Sequence, residues 1–77
     1  MWYCGDITYT GLSFYYEVKV YDEPSEFGIN GGRISKLLVS LDTYGHEIQA
    51  SYDRGWDLEP TTAEAKAVVD ILLKRFK

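Results

Sequence analysis

In 77 residues the chain has one cysteine, Cys4, one histidine, His46, and two prolines, Pro24 and Pro60. A lone cysteine forms no internal disulfide, and Cys4 with His46 falls short of the four ligands of a structural zinc site. No metal and no cofactor is expected, and a reducing, cytoplasmic setting fits best. Positive charge is also scarce, with eight Lys and Arg against twelve Asp and Glu and a formal net charge of −4. Binding of phosphates irrespective of sequence needs a net basic face, so nucleic acid is not an expected partner. The negative excess is in turn too small for a convincing mimic of DNA. No apolar run approaches the ~20 residues that span a bilayer. No basic segment leads into an apolar stretch with a small-residue cleavage site, so neither a membrane partner nor export by a signal peptide is expected.

What is present is a globular composition. Hydrophobic residues make up 45% and aromatics 16% of the chain, which excludes a disordered polymer. The length suits one domain, residues 1–77. A chain of this size buries only about 60% of its surface, enough for a small core but not for a core and a deep enclosed active site. No Ser-His-Asp or Cys-His arrangement can be assembled from a single histidine, and an enzyme is not expected. Read on their own, His46 is an exposed turn residue and Cys4 a half-buried strand residue. Asp53, Asp57 and Glu59 are solvated acids without the spacing of a calcium loop.

The first half of the chain alternates with period two. Residues 1–9 and 12–21 flank Thr10-Gly11, and a two-residue turn there pairs Tyr9 with Leu12, Ile7 with Phe14, Gly5 with Tyr16 and Tyr3 with Val18. All four pairs share one face. Residues 33–41 and 48–54 form a second hairpin, pairing Leu41 with Ile48, Val39 with Ala50 and Leu37 with Tyr52. Residues 60–77 switch to helical spacing through Ala65, Val68, Val69, Leu72 and Phe76, with Thr61 and Glu64 as a capping box. The predicted fold is therefore a two-layer α+β domain, a four-stranded antiparallel sheet of two hairpins with one C-terminal helix packed on one face, order ββββα.

That topology gathers the unusual residues at one edge: Trp2, Tyr21, the stretch Gly28-Ile29-Asn30-Gly31-Gly32-Arg33, the segment Asp53-Arg54-Gly55-Trp56-Asp57 and the start of the helix at Thr61. Guanidinium groups of Arg33 and Arg54, glycine-loop amides and a helix N-terminus can each receive an anion. The loop lacks the Gly-Lys-Ser/Thr ending of a phosphate-binding loop and leads into a strand. The structural alternative has Gly31-Gly32 shaping a turn and Arg33 stacking on Trp56.

The second face of the sheet carries Trp2, Cys4, Tyr15, Tyr21, Ile34 and Leu38 among Asp6, Glu17, Lys19, Lys36 and Gln49. One helix covers one face only, so this face has no cover within the chain. A mixed aromatic face suits self-association or a protein partner. The reading preferred on these residues is a small non-enzymatic protein-interaction module, in the form of a homodimer through the open face. Its partner-binding residues would be Trp2, Tyr15, Tyr21, Asn30, Arg33, Leu38, Arg54 and Trp56. The alternative is a binder of small anionic ligands at the edge formed by Gly28 to Arg33, Arg54 to Trp56 and the helix N-terminus.

Two stretches, Gly28-Ile29-Asn30-Gly31-Gly32-Arg33-Ile34-Ser35-Lys36-Leu37 and Tyr52-Asp53-Arg54-Gly55-Trp56-Asp57, follow an early aromatic-Cys-Gly strand. Together they resemble a small family of uncharacterised single-domain proteins of Gram-positive bacteria and their phages. The resemblance implies a cytoplasmic bacterial or phage-related protein and supplies no catalytic residue.

Overall fold

Thr10 and Gly11 both take left-handed backbone angles, φ 49° and 80°. This is the turn whose twist matches that of the strands it joins. It sets β1 (Trp2–Tyr9) against β2 (Leu12–Val20) in the register read from the sequence, Tyr9 opposite Leu12 through Tyr3 opposite Val18. Gly5 lies under the ring of Tyr16, where an added Cβ would sit 3.1 Å from the tyrosine hydroxyl. The structure, a computed structural model, describes residues 1–42 and 47–77. The reading of His46 as a turn residue falls outside the described residues.

Beyond β2 the chain continues as β3 (Ile34–Leu41), β4 (Ile48–Asp53), β5 (Trp56–Leu58) and the helix α1 (Ala63–Arg75). The sheet is an antiparallel meander in the order β1-β2-β3-β4-β5. Among the described residues the expectation of four strands is thus corrected to five, in the order βββββα. Arg54 adopts a left-handed φ of 58°, and the Asp53 amide donates to the Gly55 carbonyl at 2.9 Å, so the chain reverses where a connection was expected. Trp56 then pairs with Tyr52, its ring edge-on to the tyrosine at 5.1 Å and 77°.

Among the described residues three of the four ladders contain a register shift, and those of β2–β3 and β3–β4 move residues away from the faces expected of them. Val20 lies opposite Ile34, leaving Ser35 as an extra residue whose hydroxyl donates to the Lys19 carbonyl at 3.1 Å. The bulge turns Ile34 into the core at 1% exposure, so it does not belong to the open face where strand parity had placed it. In the second hairpin Val39–Ala50 and Leu37–Tyr52 stand as expected, but Ile48 faces Ser40 and not Leu41.

The helix begins one residue later than the expected cap. Thr62 is the capping residue and its hydroxyl accepts from the Ala65 amide at 3.0 Å. Ala65, Val68, Val69 and Leu72 are buried against the sheet, and Phe14, Val18, Ile34 and Val39 are fully buried beneath them. An odd number of strands also reverses the helix relative to expectation. β5 carries the chain back toward the edge of the Thr10-Gly11 turn, and α1 returns. Its last turn, and not its first, meets the glycine loop: Phe76 lies 5.0 Å from Tyr3, and an Arg33 Nη donates to the Lys77 carbonyl at 3.4 Å. Among the described residues no helix is long and apolar enough to cross a membrane.

Candidate functional site

The glycine loop is built to hold itself together. Gly28 donates to the Ser25 carbonyl at 2.9 Å, Gly31 to Gly28 at 3.0 Å, Gly32 to Ile29 at 3.0 Å, and Ser25 to Gly32 at 3.0 Å. A Cβ at Gly28 would lie 2.1 Å from the Gly32 carbonyl oxygen, so only glycine fits. Asn30 and Gly31 take left-handed φ, 54° and 70°. Ile29 is buried below them, and the Tyr52 hydroxyl ties the loop to β4 through the Phe27 carbonyl at 2.9 Å. The three glycine amides that sequence reasoning offered to an anion, those of Gly28, Gly31 and Gly32, are therefore committed to the loop's own carbonyls.

Arg33 is committed as well. Its Nε donates to the Tyr21 carbonyl at 2.9 Å while the Tyr21 amide donates to the Arg33 carbonyl at 2.7 Å. Arg33 does not stack on Trp56, which lies on β5 and pairs with Tyr52 of β4. Arg54 sits in the β4–β5 turn with its Nε 3.5 Å from Asp53, a carboxylate that Lys36 also approaches at 3.8 Å. Exposed pairs of this kind contribute little. The expected cluster of Arg33, Arg54, loop amides and helix N-terminus is not assembled. What forms at the loop edge is an open cleft of about 350 Å³ with Ile29, Ile34, Leu73 and Phe76 as floor and Asn30, Arg33, Lys74 and Lys77 among its walls. The helix end presented there carries carbonyl oxygens, which repel anions.

Among the described residues no element packs on the second face of the sheet, where the cross-strand pairs line up. Directly opposed residues run across it in three rows. Trp2 faces Lys19, Lys36 and Asp53; Cys4 faces Glu17, Leu38, Ser51 and Leu58; Asp6 faces Tyr15, Ser40 and Ile48. Of the residues expected here, Trp2 is exposed and Tyr15 and Leu38 are half-buried. Cys4 is exposed, not half-buried as expected. Tyr21 lies past the end of β2 and belongs by its backbone to the loop. Sequence reading missed Ile48 and Leu58, 50% and 42% exposed, which the β3–β4 bulge and the fifth strand bring to this surface. The alternation Trp56-Asp57-Leu58 after Arg54-Gly55 was the available signal for the latter.

At the centre of the face the Tyr15 hydroxyl donates to a Glu17 carboxylate oxygen at 2.9 Å. That bond, then loss of hydration, then the Glu17 charge push the Tyr15 pKa up to about 12, since each favours the neutral phenol. Trp2, Tyr3, Cys4 and Glu17 line a shallow cleft of about 260 Å³ beside it. Among the described residues, no three His, Cys, Asp or Glu side chains converge as a metal site would require.

The chain belongs to the family described as a domain of unknown function (DUF7678), whose profile matches residues 1–77. No curated protein and no solved structure matches it.

Proposed function

We propose that this member of the DUF7678 family is a non-enzymatic protein-interaction module that binds through its uncovered sheet face, with a second copy of the chain as the partner. The observation that carries the reading is the set of three cross-strand rows, in which Trp2, Ile48 and Leu58 stand exposed and Tyr15 and Leu38 half-buried among Asp6, Glu17, Lys19 and Lys36. Aromatic and aliphatic anchors with charges between them are the composition of interfaces. Four long strands at ~4.8 Å spacing and ~25 Å length give roughly 500 Å² of planar surface per copy, so two copies approach the ~1,000 Å² of a specific contact.

The setting proposed is cytoplasmic, bacterial or phage-related, in keeping with the motif resemblance and the free thiol of Cys4. An anionic ligand at Gly28 to Arg33 and Arg54 to Trp56 has less support. The glycine amides of the loop are occupied, and the helix offers its carbonyl end.

Sedimentation velocity tests the reading. Wild type at high micromolar concentration is expected to contain species larger than monomer, and Leu38→Lys or Tyr15→Lys to shift them to smaller ones with the circular dichroism spectrum unchanged. A wild type and Leu38→Lys that sediment alike would remove the face from consideration.

A further inference from the structure

We propose that the free edge of β1 pairs with β1 of a second copy, antiparallel and centred on Gly5, joining two five-stranded sheets into one of ten strands. This goes beyond the face reading and does not rest on it, because it uses main-chain groups at the border of the sheet.

The hydrogen-bonding phase of β1 is fixed by its first residue. The Met1 amine donates to the Val20 carbonyl at 3.0 Å, and the Val20 amide donates to the Met1 carbonyl at 2.9 Å. In an antiparallel ladder such bonded pairs alternate with non-bonded ones. With Met1 and Val20 bonded, Tyr3, Gly5, Ile7 and Tyr9 turn their amides and carbonyls toward β2. Trp2, Cys4, Asp6 and Thr8 turn theirs outward, where the sheet order places no further strand among the described residues.

Sheet edges open to solvent are ordinarily blunted by lysine, proline, a bulge or short length. Apart from the single carboxylate of Asp6, β1 has none of these devices. Its sequence, Trp-Tyr-Cys-Gly-Asp-Ile-Thr-Tyr, contains no Lys and no Pro and runs for eight residues. Among the described residues its ladder with β2 has no register shift, whereas β2–β3, β3–β4 and β4–β5 each have one. The other border of the sheet is β5, only three residues long.

Self-pairing about a two-fold axis restricts the register. Opposed residues must share a face, so both partners have the same parity. Centring on Gly5 sets Trp2 opposite Thr8 of the second copy and Cys4 opposite Asp6, and all four outward-facing residues then exchange bonds. Centring on Asp6 would oppose two carboxylates, and centring on Cys4 would leave Thr8 unpaired. At the axis the two Gly5 residues form a non-bonded pair, the closer of the two kinds of approach. The side-chain side of that approach is already covered within each copy by the Tyr16 ring.

Amide hydrogen exchange at low and high protein concentration reads the pairing directly. Protection that grows with concentration is expected at Trp2, Cys4, Asp6 and Thr8, and concentration-independent exchange at these four overturns the proposal. Asp6→Pro removes one outward donor without touching the ladder to β2 and is expected to lower the sedimenting mass. An unchanged mass also overturns it. Leu38→Lys is expected to keep the protection at these four amides even where it abolishes association through the face, so the two surfaces fail separately. Asp6→Cys tests the register. Under diamide its new thiol is expected to cross-link to Cys4 of the second copy, the Cα separation of ~5.5 Å lying within disulfide range. Cross-linking of wild type through Cys4 alone, to the same extent, overturns the Gly5-centred register.

Discussion

Tyr15 shows how one side chain carries the character of the open face. Its phenol is tied to Glu17, the residue that stands opposite both Cys4 and Leu38. Because folding raises its pKa from 10.0 to about 12, the fold favours the neutral form. The corresponding stability is fully present below pH 10 and is lost as the pH rises through 12. Subtracting the alkaline absorbance titration of Tyr15→Phe from that of wild type is expected to isolate one tyrosine with a midpoint near 12, and Glu17→Gln to lower it. A difference curve centred at 10.0 would mean that the Tyr15–Glu17 bond is not kept in solution. At the same scale, Gly28 is a residue whose role no composition reveals. Its requirement comes from a carbonyl four residues away.

At the level of elements, the helix start gives a direct discrimination. Thr62→Ala is expected to destabilise by about 0.5–2 kcal/mol, because it leaves the Ala65 amide without its acceptor, while Thr61→Ala changes the denaturant midpoint within error. The reverse order would place the cap at Thr61. The same contrast describes what could be read from the sequence. The first hairpin was legible in full, since a two-residue turn and an apolar parity fix its register together. The buried stripe of α1 was legible for the same reason, as spacing alone decides which residues share a face. A register that contains a bulge was legible only on one side of it, as Val39–Ala50 and Leu37–Tyr52 show, because an extra residue such as Ser35 looks like any other member of an alternating run. β5 was missed because three residues are too few for alternation to stand out. That omission reversed the helix and displaced Arg33 from Trp56. Of the candidate site, Trp2, Tyr15 and Leu38 were found by parity, whereas Ile48 and Leu58 depend on the two features that parity does not show.

For the molecule as a whole, the return of α1 to the edge where the chain starts has a kinetic meaning. Each hairpin brings together residues close in sequence, and a loop that short closes at small entropic cost. The contacts of Phe76 with Tyr3 and Tyr16, and of Arg75 with Tyr16, join the last turn of the helix to the first two strands. They close a loop nearly as long as the chain, so their entropic cost is the largest and they are expected to form after the rate-limiting step. Phe76→Ala should then accelerate unfolding in a stopped-flow denaturant series and leave the refolding limb nearly unchanged. A refolding rate that falls in step with the lost stability would instead put the docked helix in the folding nucleus. On the expected course, the meander zips first and the helix acts as a latch, so the lifetime of the folded state is set by how long Phe76 stays against Tyr3.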